Sequence, residues 1–115
     1  MNTFVTDTHA LLWYLAGSPS LGETARETFD LALTGTNEIH VPAIVLAELV
    51  ILSEKRHAKI DATAIVAKLR ETPGFQLTFL TPAIALGIQT LTALGDIHDR
   101  LIVAEALAKG ASLIS

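Results

Sequence analysis

The stretch Asn2 to Tyr14, NTFVTDTHALLWY, constrains the chain most, because Phe4 and Val5 form a short apolar strand that runs directly into an acid and then into a helical apolar face. Asp7 sits at that junction. In open α/β sheets, ligand sites lie in the crevice outside the carboxyl ends of the strands. A carboxylate placed there has two readings. It can cap the helix, since Asp is a favoured acceptor for the N–H groups of a first turn and Thr8 can share that task. It can also belong to a site, and the acids elsewhere in the chain bear on which reading holds.

The rest of the sequence repeats the strand-then-helix unit. The first helix ends near Ala16–Gly17, Ser18-Pro19-Ser20 forms a loop, and a second helix is predicted from about Gly22 to Leu33 with Ala25, Phe29, Ala32 and Leu33 setting its pattern. Gly35 and Asn37 mark a turn, and Ile39-His40-Val41 reads as a strand stopped by Pro42. A helix follows in AIVLAELVILSEK, and another from about Ala62 to Glu71 has Ile65, Val66 and Leu69 as its inner face. Past the Pro73-Gly74 turn, Phe75 to Leu80 alternates and reads as a third strand with Phe75, Leu77 and Phe79 on one side. Thr81-Pro82 opens a helix expected to run through Leu94 to a stop at Gly95. The last helix begins in GDIHDRLIVAEALAKG, Gly110 ends it, and Ala111 to Ser115 reads as a fourth strand. Strands separated by one or two helices call for a parallel sheet with right-handed crossovers and helices on both faces. The expected class is α/β, a compact three-layer sandwich with a parallel four- to five-stranded sheet, in a single domain over residues 1–115.

Composition removes several functions. Half of the residues are hydrophobic, but the longest apolar run, Val41 to Leu52, contains Glu48 and falls short of the ~18–20 residues a membrane span needs. No basic region followed by an apolar stretch opens the chain, so a soluble, cytoplasmic protein is expected. The lack of cysteine excludes a disulfide framework and thiolate metal sites. A net charge of −4 argues against a broad basic surface that holds nucleic acid mainly by phosphate neutralisation. The basic residues are unevenly placed, however: Lys55, Arg56, Lys59, Lys68 and Arg70 share one window with His57, as a solvated rim or a phosphate-tracking edge.

The sharpest anomaly is Glu48, which is flanked at helical spacing by Ile44, Val45, Ile51 and Leu52 with no Lys or Arg within one turn. An ionised carboxylate in apolar surroundings is costly unless paired, protonated or bound to a metal. Asp96 and Asp99 then stand three apart at the last helix start, where they also fit a capping-box variant. Asp7, Glu48, Asp96 and Asp99 all belong to the same end of a parallel sheet. Carboxylates brought together repel one another unless a cation neutralises them, and hard oxygen clusters select Mg²⁺ or Mn²⁺. Such an ion activates water and stabilises charge on a phosphoryl oxygen, so phosphodiester hydrolysis is the natural chemistry.

Other chemistries have less support. The chain carries neither GxGxxG after its first strand nor GxxxxGK[ST], and it lacks a nucleophile elbow. His9, His40, His57 and His98 lack a zinc-like spacing, and His9 and His98 read as local hydrogen-bonding residues. Trp13 and Tyr14 read as core or interface. A phosphoacceptor receiver domain would want adjacent acids after the first strand, where Asp7 stands alone.

Taken together, FVTDTHALLWYLAG, the apolar helix with Glu48, and GDIHDRLIVAEALAKGASLIS resemble a PIN domain, specifically the VapC-type toxin ribonucleases of toxin–antitoxin pairs. The resemblance spans essentially the whole chain. It implies Mg²⁺- or Mn²⁺-dependent cleavage of RNA, with Asp7, Glu48 and Asp99 as the first, second and third acids, Asp96 as a supporting acid, and Thr8 as a hydroxyl that hydrogen-bonds in the site. Arg100, beside Asp99, and the basic residues Lys55, Arg56 and Lys59 are candidates for substrate contact. The resemblance further implies a homodimer and a small VapB-like antitoxin that blocks the acidic cleft. Such domains usually continue from the last strand into a Thr-x-Asp segment with a fourth acid, and this sequence reaches Ser115 just before that point. The alternative expectation is a non-catalytic PIN-like module that binds RNA or protein without cutting.

Overall fold

The computed structural model describes residues 2–56 and 60–115, apart from the Arg56 side chain. In chain order the elements are β1 (Asn2–Thr6), α1 (Thr8–Ala16), α2 (Glu23–Leu33), β2 (Asn37–Pro42), α3 (Ala43–Arg56), α4 (Ala62–Glu71), β3 (Phe75–Thr78), α5 (Pro82–Gly87), a 3-10 turn at Ile88–Thr90, α6 (Ile97–Lys109) and β4 (Ser112–Ile114). The strands form one parallel sheet in the order β3-β2-β1-β4. The chain moves outward from β1 through β2 to β3, then crosses back to add β4 on the far side of β1. The switch point therefore lies between β1 and β4, and the crevice at their carboxyl ends is where a parallel α/β sheet accepts ligands.

Register assigns the two faces. Phe4, Ile39 and Phe75 stand side by side across β1, β2 and β3, as do Val5, His40 and Gln76 one residue later. On the first face Phe29 of α2 stacks on Phe75 with centroids 6.2 Å apart, and Tyr14 of α1 stacks on Phe29 at 4.6 Å. On the second face α6 meets the sheet through polar groups. Glu105 accepts from the Thr78 hydroxyl at 2.6 Å and pairs with Lys109 at 2.8 Å, while Lys109 Nζ lies 2.8 Å from His40 Nδ1. Val5, Leu11, Phe29, Ile39, Val41, Val45 and Leu49 are fully buried. Burial of each such side chain contributes roughly 1.5–3 kcal/mol, which makes this cluster the main stabilising force.

The elements match the predicted order, and the limits of β2, β3 and α5 differ most. β2 runs from Asn37 rather than Ile39, because the Asn37 side chain is buried and donates to Thr28 O at 3.1 Å, and it includes Pro42 at its last position, where a strand tolerates the missing N–H. β3 ends at Thr78, not Leu80, so Phe79 is 82% exposed instead of sharing a buried side with Phe75. The chain leaves the sheet there because Thr81 already caps α5, accepting from Ile84 N–H, with Pro82 in the first turn. α5 stops at Gly87 rather than Leu94. Gly87 and the threonines of IQTLTALG are poor helix formers, and the Arg100 guanidinium donates to Leu94 O and Thr92 O, holding 91–96 as a loop.

Two glycines are required by geometry. At Gly74 an added Cβ would stand 2.1 Å from Ala32 O and 2.6 Å from Asn37 O, so only glycine lets the entry to β3 lie against the end of α2. Gly110 ends α6 with φ of 59°, its N–H returning to the last turn of the helix. Among the described residues no helix is long and apolar enough to cross a membrane.

Candidate active site

β1 delivers Asp7 to the crevice. Its N–H donates to Ile114 O at 2.9 Å, fixing it beside the end of β4, and its Oδ1 accepts from Ala10 N–H at 2.8 Å. Asp7 is therefore the N-cap of α1. It also lines a cleft of about 240 Å³ together with Thr8, His9, Glu48, Asp96 and Asp99. Capping and site chemistry coexist because an N-cap spends one carboxyl oxygen and leaves the other.

Glu48 does not lie in apolar surroundings. α3 buries the stripe Val45 and Leu49 while Val50 and Ile51 are exposed, and Glu48 turns between them into the cleft with 27% of its side chain accessible. Its compensation comes from across the fold rather than from a cation on its own helix. The Thr8 hydroxyl donates to Oε1 at 2.6 Å, and His98 Nδ1 stands 3.3 Å from Oε2. The hydroxyl bond orients one carboxylate oxygen, and His98 stands within ion-pair distance of the other.

The start of α6 brings the remaining acids. Asp96 caps this helix, accepting from His98 N–H at 2.7 Å and Asp99 N–H at 3.2 Å, so the capping-box geometry and the convergence on the cleft are the same structure. Asp99 stands in the first turn and lines the cleft with Asp7, close enough for its charge to act on Asp7.

The electrostatics follow from that crowding. Asp7 has its pKa raised above the usual Asp value, chiefly by burial and further by the charges of Asp99 and Glu48, against the Ala10 N–H and His9, which lower it. Among the described residues no Lys or Arg forms a salt bridge with Asp7, Glu48, Asp96 or Asp99; His98 alone approaches Glu48 and Asp96. The site is short of positive charge. Its donors are hard carboxylate oxygens, the set that suits Mg²⁺ or Mn²⁺, so the residues present fit such an ion. Among the described residues no three of these side chains already form a metal shell, so an ion there would be held partly through water or after the side chains draw together.

The structure brings Asp7, Thr8, Glu48, Asp96 and Asp99 together, and of the expected basic contacts neither Arg100 nor Lys55 lines the cleft with them. Arg100 points its guanidinium at the loop carbonyls of Thr92 and Leu94. Lys55 is exposed near the end of α3 and does not line the cleft, and the Arg56 side chain lies outside what the structure describes. Lys59 and His57 lie outside the described residues. Sequence reasoning gave His98 only a local role. Its approach to Glu48, fifty positions away in the chain, has no sequence signal except its place between two acids at a helix start.

The fold and the cleft define a class: a parallel α/β domain carrying an acidic site at its topological switch point. A PIN domain family model matches residues 4–115, and the chain belongs to the PIN domain family. Solved structures share the architecture. VapBC2 from Rickettsia felis bound to a promoter DNA fragment superimposes with a TM-score of 0.67 at 17% identity, over 96% of this chain and 84% of that one. DNA-bound VapBC from Salmonella typhimurium gives 0.66 at 20% identity over 96% and 83%. VapC20 of Mycobacterium tuberculosis, described as a sarcin-ricin loop cleaving toxin, gives 0.60 at 18% identity over 94% and 84%. At these identities the likeness is one of fold. No curated protein matches the chain in sequence.

Proposed function

We propose that this chain is an Mg²⁺- or Mn²⁺-dependent endoribonuclease, the toxin of a VapBC-like toxin–antitoxin pair. The observation that carries the proposal is the convergence of Asp7, Glu48, Asp96 and Asp99 on one cleft that, among the described residues, has no compensating Lys or Arg. Membership of the PIN family and the shared fold with toxin–antitoxin structures support the same reading.

Asp7 and Asp99 would hold the ion, with Asp96 in support. Bound there, the ion supplies charge neutralisation at the scissile phosphate and a lowered pKa for attacking water. Glu48 orients that water and accepts its proton, and the Thr8 hydroxyl and His98 imidazole keep the Glu48 carboxylate aimed. Arg100 acts through the loop it fastens, which carries Asp96 at its end. Phosphate contacts beyond the cleft would fall to Lys55, Arg56 and Lys59. The acidic cleft suits a basic antitoxin segment better than it suits RNA alone, so a VapB-like protein that inserts an Arg between the carboxylates is the expected inhibitor. The active unit is a homodimer in the cytoplasm, where the RNA substrate resides.

Incubating total cellular RNA with the purified protein in Mg²⁺, Mn²⁺ or EDTA, beside Asp7→Asn, tests this. Discrete fragments that need metal and vanish in the variant are the expected result. Intact RNA in every lane, from folded protein free of a partner, would replace the nuclease with a binding module.

A further inference from the structure

The acidic cleft is not the largest cavity in this fold. A groove of about 520 Å³ runs along the outer edge of β3, between the amino-terminal turns of α3 and the carboxyl-terminal half of α4. Ala43, Leu46 and Val66 give it an apolar floor, Leu77 lines the strand side, and Arg70, its neighbour Glu71 and Phe79 border it. None of these residues borders the acidic cleft.

The strand itself dictates what can fill the groove. β3 is one of the two edge strands, hydrogen-bonded to β2 alone. In a parallel ladder, alternate residues of a strand direct their N–H and C=O groups to opposite sides. Gly74 O accepts from Ile39 N–H at 2.7 Å, so the groups facing β2 belong to the even-numbered positions and those of Phe75, Leu77 and Phe79 face outward. Phe75 N–H is already taken by Thr72 O at 3.2 Å. Leu77 offers both main-chain groups to the groove.

Edge strands are ordinarily guarded by a charge, a proline or a bulge, since open main-chain groups pair with other chains. The run FQLTF, four residues of strand and the one after it, has none of these, and it ends in Phe79, the most exposed large hydrophobic residue described, at 82%. Arg70, exposed beside the strand, forms no salt bridge among the described residues. An unguarded edge, an apolar floor and an unpaired guanidinium are complementary to one kind of occupant.

We propose that the β3 edge is a docking site for an extended segment of a partner protein, which adds to the sheet as a strand next to β3, sets alternate apolar side chains over Leu46, Val66 and Phe79, and places an acidic side chain at Arg70. Main-chain bonds supply affinity in this mode and the side-chain pockets supply selectivity. A nucleic-acid strand would use Arg70 but leaves the Leu77 amide and carbonyl and the apolar floor without counterparts. The inference is independent of the nuclease reading, since it involves neither metal nor any cleft residue.

The test selects random peptides from a phage-displayed library on the full chain in EDTA, then titrates a selected peptide into ¹⁵N-labelled protein. The expected winners alternate apolar residues with at least one acid, shift the amide resonances of Leu77 and Phe79, and lose binding at least tenfold to Arg70→Glu and to Phe79→Ser, both surface changes that leave the core intact. N-methylation of alternate peptide residues removes main-chain donors while keeping every side chain, and one of the two alternating registers should abolish binding. Binding that survives both registers, shifts confined to other surfaces, or no selected peptide at all would overturn the proposal. So would a single-stranded RNA oligonucleotide that shifts the same amides, or concentration-dependent self-association that Phe79→Ser removes; these outcomes would reassign the groove to nucleic acid or to a second copy of the chain.

Discussion

At the scale of residues, Asp7 shows how one side chain serves both the fold and the site. Burial and two neighbouring carboxylates disfavour its charged form, so ionised Asp7 costs stability when no cation is bound. Asn keeps the capping oxygen and discards the charge. Asp7→Asn in EDTA at neutral pH should therefore melt at the same temperature as the parent or above it, while metal-dependent RNA cleavage is lost; a lower melting temperature would mean that the charge itself stabilises α1. Tyr14 gives a second prediction. Its hydroxyl donates to Asp30 at 2.7 Å, and burial, aided by that bond and the Asp30 charge, pushes its pKa up to about 12 from 10.0. A raised pKa means the native state keeps the proton that the unfolded state gives up, so the stability from neutral Tyr14 is complete below pH 10 and declines between pH 10 and 12. Tyr14→Phe should flatten that decline in denaturant midpoints measured across the alkaline range, and an unchanged slope would assign it to other groups. The acids themselves were legible from their spacing along the chain. The environment of Glu48 was not, because apolar neighbours in sequence do not reveal which side of α3 turns inward, and its partners Thr8 and His98 come from other helices.

At the scale of elements, the end of β3 and its entry turn are set by contacts that no local pattern announces. Phe75-Gln76-Leu77-Thr78-Phe79 alternates well enough to predict a longer strand, yet the α5 cap at Thr81 withdraws Phe79 from the sheet. The buried Glu105 was likewise invisible: in sequence it makes an ordinary i,i+4 pair with Lys109, whereas in the fold it is 2% exposed and also holds Thr78. Helix limits marked by Gly17 and Gly110 were readable, since a left-handed residue after the last turn is a local requirement. Gly74 carries the prediction here. Alanine at this position forces its Cβ onto the carbonyls of Ala32 and Asn37, and overpacking of that kind costs about 1–3 kcal/mol or more. Urea unfolding of Gly74→Ala should show that loss, with RNA cleavage per folded molecule retained because the acidic cleft lies at other strand ends. A neutral outcome would show that the turn yields easily.

At the scale of the whole molecule, the sheet order explains why the site is where it is. Placing β4 beside β1 brings the start of α6 next to the end of β1, and the parallel connection through β2 brings α3 to the same end. Acids from three separate stretches meet because the topology brings the end of β1, α3 and the start of α6 together, which is why the constellation was readable from the order of elements even where boundaries were misplaced. The shortage of positive charge there has a thermodynamic consequence. A cation that binds only the folded state stabilises it by about 2.7 kcal/mol at a hundred times its dissociation constant, a rise in melting temperature on the order of 10 °C for a chain this size. Mn²⁺ should produce such a rise in the parent, and Ca²⁺ a smaller one if the cleft closes to the shorter distances that Mg²⁺ requires.

The central claim is that these carboxylates act as one metal site, and calorimetric titration of Mn²⁺ into the metal-free protein and into Asp7→Asn and Asp99→Asn tests it most directly. The predicted result is saturable binding by the parent and at least tenfold weaker binding by each variant, with all three proteins folded. Binding of equal strength in all three, or none in the parent, would contradict the claim.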